Sequence, residues 1–224
     1  MFNILTQSLV LASGGILSFG SITIVILLLI SDQGWRNGLG YMFGYVGAYT
    51  MIGVSIVVMN YNYTTAEGAS AEPNILGSIL FIIMGILLLW MTFRNWRKSP
   101  SEERKPLRLF AILDKITPAK AFALGAVVTV VNFKNLAIFL SAVSVLLVSE
   151  LLLSSKIMIV LLDVLVFCLS VIVPVGIYVA FPETARDRLN LIKQTIDKYS
   201  RPVSIFIPLI FGIIFFIGGV RGLL

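Results

Sequence analysis

Six runs of apolar residues organise the chain, at roughly 4–31, 38–59, 74–93, 119–149, 157–181 and 203–223, with the polar residues gathered between them. A helix needs about 20 apolar residues to cross hydrocarbon, and each run is long enough. Only helices or closed barrels satisfy backbone polar groups in lipid, and these runs are too long and too unalternating for barrel strands. The pattern therefore predicts an all-α polytopic membrane protein with six transmembrane helices. Runs one and four, at about 28 and 31 residues, exceed the ~20 required. They predict either a tilted helix or one broken part-way.

Composition strengthens this class assignment. Of 224 residues 58% are hydrophobic and 12% charged, against about 25% charged in ordinary soluble domains. The start, "MFNILTQSLVLASGG", has no basic stretch before its apolar run, so it is expected to be the first span rather than a cleaved signal. The single cysteine, Cys168, excludes an intrachain disulfide and reads as a small core residue. With no histidine and no cluster of Cys or carboxylates, neither a metal site nor a hydrolytic triad is expected, and no cofactor is implied. An enzyme acting on lipid phosphates would need convergent catalytic residues that the sequence does not offer.

Charge then sets the topology. Of the seventeen Lys and Arg, fourteen fall in the segments 32–37, 94–120 and 182–202 around the ends of runs one, three and five, two are Lys156 and Arg221 on the other side, and the last is Lys134. By the positive-inside rule, both termini are expected outside and the odd-numbered loops in the cytoplasm. The net charge of +6 is thus a topology signal that also suits anionic headgroups, and nucleic acid is not an expected partner. Three parts follow: residues 1–93, a basic cytoplasmic loop 94–118, and residues 119–224. Within the third, "TARDRLNLIKQTIDKY" spaces Leu189, Ile192, Ile196 and Tyr199 at helical intervals, which predicts an amphipathic surface helix over 184–199. The Thr117-Pro118 pair reads as an N-cap and first helical residue, starting span four near Ala119. The connection from 60 onward, "NYNYTTAEGASAEPN", reads as an exposed outer loop, and "GLGYMFGYVG" spaces Gly40, Gly44 and Gly47 for close helix contact.

The polar residues inside the runs carry the candidate chemistry. "VVNFKNLAIF" places Asn132, Lys134 and Asn135 inside run four. A lysine at mid-span costs at least about 2.5 kcal/mol, so it is expected to face a polar cavity or a partner. It would hold an anionic substrate group or exchange a proton. The structural alternatives are a pair with Asp163, the one carboxylate well inside an apolar run, or a snorkelling side chain. Asn132 and Asn135 share a helix face and read as substrate-binding residues or as caps for freed carbonyls. Ser18, Ser21 and Thr23 in run one are weaker candidates, because hydroxyls in membrane helices often bond their own carbonyls. Asp163 is a candidate partner, proton carrier or interface residue. Pro174 is a candidate hinge or static kink.

Six spans with both termini on one side divide into two halves of opposite orientation, and the halves match locally. "SFGSITIVIL" (18–27) lies on "NFKNLAIFLS" (132–141), pairing Ser18 with Asn132, Phe19 with Phe133 and Gly20 with Lys134. "GILLLWMTFR" (85–94) lies on "GIIFFIGGVR" (212–221). This predicts two inverted three-helix repeats, with the two polar stretches meeting at a pseudo-two-fold axis where such transporters bind substrate.

These residues, with "FRNWRKSP" ending span three and "LDKITPAKAFALG" leading into span four, resemble the peptidoglycolipid addressing protein family (GAP, or Sap-like) of the lysine exporter (LysE) superfamily. The resemblance covers most of the chain and implies a six-span secondary transporter of two inverted repeats. It departs where such families carry proline, as Ser-Pro and Asn-Pro-Lys, since Phe19 and Phe133 stand there instead. Proline would remove a donor and open the helix; Gly14, Gly15 and Gly20 still leave span one weak. The expectation is export, across a prokaryotic plasma membrane, of a small polar or amphipathic, anionic or zwitterionic solute, amino-acid-like or lipid-related. The expected partners are that substrate, membrane lipids and, compatibly, a second copy of the chain. Lys134, Asn132, Asn135, Ser18, Ser21 and Thr23 would bind it; Lys134 and Asp163 would couple an ion; Gly20 and Pro174 would act as hinges. The rival expectation is an accessory scaffold for lipid or glycolipid assembly, with Lys134 locked in an ion pair.

Overall fold

A computed structural model describes residues 2–31, 33–66, 75–97, 116–181 and 183–221. Every regular element among them is helical. In chain order they are α1 (Phe2–Ala12), a 3-10 turn (Ser13–Leu17), α2 (Phe19–Ile30), α3 (Gly34–Ala66), α4 (Ile75–Arg97), α5 (Pro118–Val131), α6 (Phe133–Leu147), α7 (Leu153–Phe167), α8 (Leu169–Ala180) and α9 (Ala185–Arg221).

Among the described residues the six apolar runs thus become nine helices, because three runs are bent. Gly34–Asn62 is a single helix long and apolar enough to cross a membrane. Three pairs meet that test only together: Phe2–Leu17 with Phe19–Ile30, Pro118–Val131 with Phe133–Leu147, and Leu153–Phe167 with Leu169–Ala180, bent by 53°, 73° and 62°. The described residues are thus all-helical, with four stretches long and apolar enough to cross a membrane when each bent pair counts as one span.

Several expectations change at the edges. α3 runs on to Ala66, so the first residues of the expected outer loop are helical, and 67–74 lie outside the described residues. The expected surface helix 184–199 is continuous with the last span: α9 runs unbroken through Pro202 and Pro208. A proline removes one backbone donor, and neighbouring helices can absorb that loss inside a bundle. The side chains of its polar face, and residues 98–115 of the basic loop, lie outside the described set. α5 begins as expected. Thr117 is extended at φ −91°, ψ 157°, its hydroxyl accepts from the Lys120 N–H at 3.5 Å, and Pro118 opens the helix.

In lipid, apolar burial does not drive helices together, so small residues that let backbones approach matter more. α3 meets α5 at Gly40, Gly44 and Gly125; a Cβ on Gly125 would stand 2.9 Å from the Tyr45 backbone nitrogen. Gly47 has open space around it, so the expected three-glycine contact uses two. α4 meets α9 at Gly85, Gly212 and Gly219, where a Cβ on Gly85 would stand 2.7 Å from the Phe216 nitrogen. Between these pairs lies α2, whose Val25, Ile26, Leu27, Leu28 and Leu29 are all buried. A helix covered on every side belongs at the centre.

Candidate functional site

The two breaks in apolar runs one and four share one backbone geometry. Ser18 has φ −80° and ψ 74°; Asn132 has φ −82° and ψ 72°. Both are the inverse γ conformation, which ends a helix at negative φ and needs no glycine. The chain resumes identically, with the Ile22 N–H bonding the Ser18 carbonyl and the Leu136 N–H bonding that of Asn132, each at 3.0 Å. Ser18 and Asn132 are the residues that the internal sequence match lays on each other. Phe19 and Phe133 become the first residues of α2 and α6, a position whose N–H has no intrahelical partner whether or not proline stands there. The breaks therefore form without the prolines.

Three of the expected residues converge between the breaks. Asn135 is buried in the first turn of α6, and its Nδ2 donates to Ser18 Oγ and, at 3.3 Å, to Tyr45 Oη. Ser18 Oγ donates to Ser21 Oγ at 2.9 Å, which donates to Tyr45 Oη at 3.2 Å. The ring of bonds joins α2, α3 and α6 across 117 residues of sequence. Asn132 acts locally: its Oδ1 accepts the Asn135 backbone N–H at 3.4 Å and so caps α6.

Lys134 lies just after the break, in the first turn of α6, and is half-buried, with no carboxylate paired to it among the described residues. Asp163 is not its partner. That carboxylate is fully buried on α7, where its Oδ2 accepts from the Ser8 hydroxyl of α1. Gly20, the counterpart of Lys134, is exposed, with nothing within 4 Å of where a Cβ would stand. Thr23 lies further along α2 and joins none of these bonds. Pro174 lies buried inside α8, while span five bends at Cys168, six residues earlier.

Sequence reasoning missed Tyr45. Tyr41, Tyr45 and Tyr49 recur every fourth residue on one face of α3, and all are fully buried. Tyr49 packs edge-on to Tyr45 at 5.0 Å and against Phe139 and Phe167 at 4.8 and 4.7 Å, which walls the polar ring with aromatics. The tyrosine spacing was the available signal; the glycines interleaved with it drew the reading towards packing alone.

The Asn135–Ser18 bond brings the N-termini of α2 and α6, with their positive dipole ends, to one place, and Lys134 belongs to the first turn of α6. Convergence of this kind favours an anionic group. Among the described residues no three His, Cys, Asp or Glu side chains gather as metal ligands would. No curated protein and no solved structure matches the chain. A family model does match, over residues 9–221, almost the whole chain. The chain belongs to the family of Sap, the sulfolipid-1-addressing protein.

Proposed function

We propose that the chain is a secondary active transporter that exports an anionic or zwitterionic, lipid-related solute by alternating access, through six spans arranged as two inverted repeats. The observation that carries this reading is the pair of matched breaks at Ser18 and Asn132, tied together by Asn135. Broken helices whose N-terminal ends meet mid-membrane are how inverted-repeat transporters hold anionic substrate groups. The cargo class draws on two supports. Lys134 and the two helix ends favour an anion, and the family's description speaks of addressing a sulfolipid, whose sulfur-bearing headgroup is acidic. Lys134 would attract that headgroup electrostatically, while Asn135, Ser18, Ser21 and Tyr45 would exchange their mutual hydrogen bonds for bonds to it.

Topology fits this direction of reading. Trp35 and Arg36 stack at 5.3 Å at the start of α3, as do Arg94 on Trp90 at 5.6 Å and Arg97 on Phe93 at 4.2 Å near the end of α4. Exposed aromatics with basic residues mark a membrane interface, and all three pairs belong to helix ends that the charge pattern is expected to put in the cytoplasm. The accessory-scaffold alternative predicted Lys134 locked in an ion pair, and no such pair occurs among the described residues.

The test is counterflow in liposomes of purified protein, with a short-chain phosphatidic acid, a short-chain sulfated lipid and amino acids as probes. Exchange of the anionic probes, lost in Lys134→Ala at unchanged protein stability, supports the reading. Absence of exchange of every probe, or exchange indifferent to Lys134, overturns it.

A further inference from the structure

Apart from the central ring, a second polar cluster among the described residues joins the first and last thirds of the chain, where α1, α6 and α7 meet. Ser8 and Asp163 are both fully buried there. The Ser8 hydroxyl lies within bonding distance of Asp163 Oδ2 and, at 3.2 Å, of the Ala142 carbonyl. Asp163 Oδ1 has no partner among the described residues. A hydroxyl carries one proton, so Ser8 cannot donate to both oxygens. Two acceptors facing one donor leave a proton missing, and a buried carboxylate without a counter-ion is costly.

One further proton resolves the count. With a proton on Oδ2, Asp163 donates to Ser8 and Ser8 donates to Ala142, giving a directed chain from α7 through α1 to α6. Without it, Ser8 turns its proton to Oδ2 and lets go of α6. We propose that Asp163 is the proton-coupling group of the transporter, and that Ser8 reports its protonation by making or breaking the contact between α1 and α6. The step is a simple exchange: the carboxylate takes a proton from a hydronium ion, whose O–H bond breaks as that of the carboxylic acid forms and which leaves as water, and the reverse transfer to water returns the proton later in the cycle.

The surroundings isolate this group. α1 and the 3-10 turn carry no ionisable side chain. α6 carries only Lys134, eight residues from Ala142, or roughly 12 Å along the helix. α7 itself adds Lys156, seven residues away, and α8 only Tyr178 near its far end. α3 faces α7 with Gly53, against Val160, and with Tyr49, against Phe167. Asp163 nevertheless reaches the central site mechanically. One turn along α7, the Phe167 ring fills the space beside Gly15, three residues before the break at Ser18, and touches Tyr49 beside Tyr45. A shift of α1 against α7 is therefore felt at both.

The coupling role rests on the transport reading, whereas protonation of Asp163 does not, so the two are tested separately. Infrared spectra of the purified protein in lipid would follow the carbonyl stretch of a protonated carboxylic acid against pH, with Asp163→Asn to assign the band and Ser8→Ala to test the chain. The proposal expects a titrating band absent from Asp163→Asn and displaced in frequency in Ser8→Ala. A band that vanishes on adding sodium at constant pH would make this a sodium site and overturn it, as would the lack of any band assignable to Asp163. In liposomes, Asp163→Asn should keep counterflow of the short-chain anionic lipid and lose its uptake driven by a pH gradient at least tenfold. Undiminished gradient-driven uptake refutes the coupling role; absence of counterflow in the wild type refutes transport itself and leaves the spectral result standing.

Discussion

The bond between Asn135 and Ser18 ties the two breaks together, so its energy can be measured without knowing the cargo. Asn135→Ala removes two donated hydrogen bonds, to Ser18 Oγ and Tyr45 Oη. Each hydroxyl keeps Ser21 as a partner, so neither is left fully unsatisfied and the loss belongs at the lower end of the range for a broken buried bond, about 1–2 kcal/mol. Interhelical side-chain bonds in membrane proteins average about 0.6 kcal/mol and reach about 1.7. A double-mutant cycle of Asn135→Ala with Ser18→Ala should therefore give a coupling of about 0.6–1.7 kcal/mol. Thr23→Ala paired with Asn135→Ala should be additive within about 0.5 kcal/mol, since Thr23 shares no partner with it. The assay is reversible unfolding in mixed micelles titrated with sodium dodecyl sulfate, followed by circular dichroism. Coupling indistinguishable from zero, or equal coupling for the Thr23 cycle, would refute the proposed bridge.

Other consequences can be checked in the same assay. Gly44→Ala forces a methyl into the backbone of Phe122 and should cost about 1–3 kcal/mol, whereas Gly47→Ala enters open space and should be neutral or stabilising by up to about 1 kcal/mol. Phe133→Pro should change stability by less than about 1 kcal/mol, because the first helical N–H is unbonded in any case. Leu136→Pro, three residues on, deletes the bond to the Asn132 carbonyl and should cost about 3 kcal/mol. Cys168 is fully buried at the bend of span five; it should resist a maleimide in intact membranes and react once the protein is unfolded, with labelling counted by mass spectrometry.

Much of the fold was legible because hydrocarbon imposes so few solutions. The six runs match the helical segments among the described residues to within a few residues at most ends, since apolar length is a global property of the sequence. The internal match placed Ser18 against Asn132, and these are the two residues where spans one and four break. The breaks looked doubtful from sequence because proline was missing, yet a backbone at negative φ can leave the helix at any residue that caps itself, as Asn132 does. What stayed hidden depends on three-dimensional pairing. Ser8 gave no sign among ordinary residues of α1, because its meaning lies in Asp163, 155 positions away. Tyr45 went unread among Gly40, Gly44 and Gly47, because local spacing does not tell which neighbour a given side of a helix will meet. The bend at Cys168 carries no proline or glycine signal, and Pro174 drew the expectation along the same helix.

Alternating access is the central claim, and the lone cysteine makes it directly testable. In a Cys168→Ser background, Gly20→Cys places a thiol at the counterpart of Lys134, where open space receives it without a clash. A membrane-impermeant maleimide should label that thiol in right-side-out vesicles and also in inverted ones, because each half of the cycle opens the centre to one side. Labelling from neither side, or from one side only under every condition, would contradict the account.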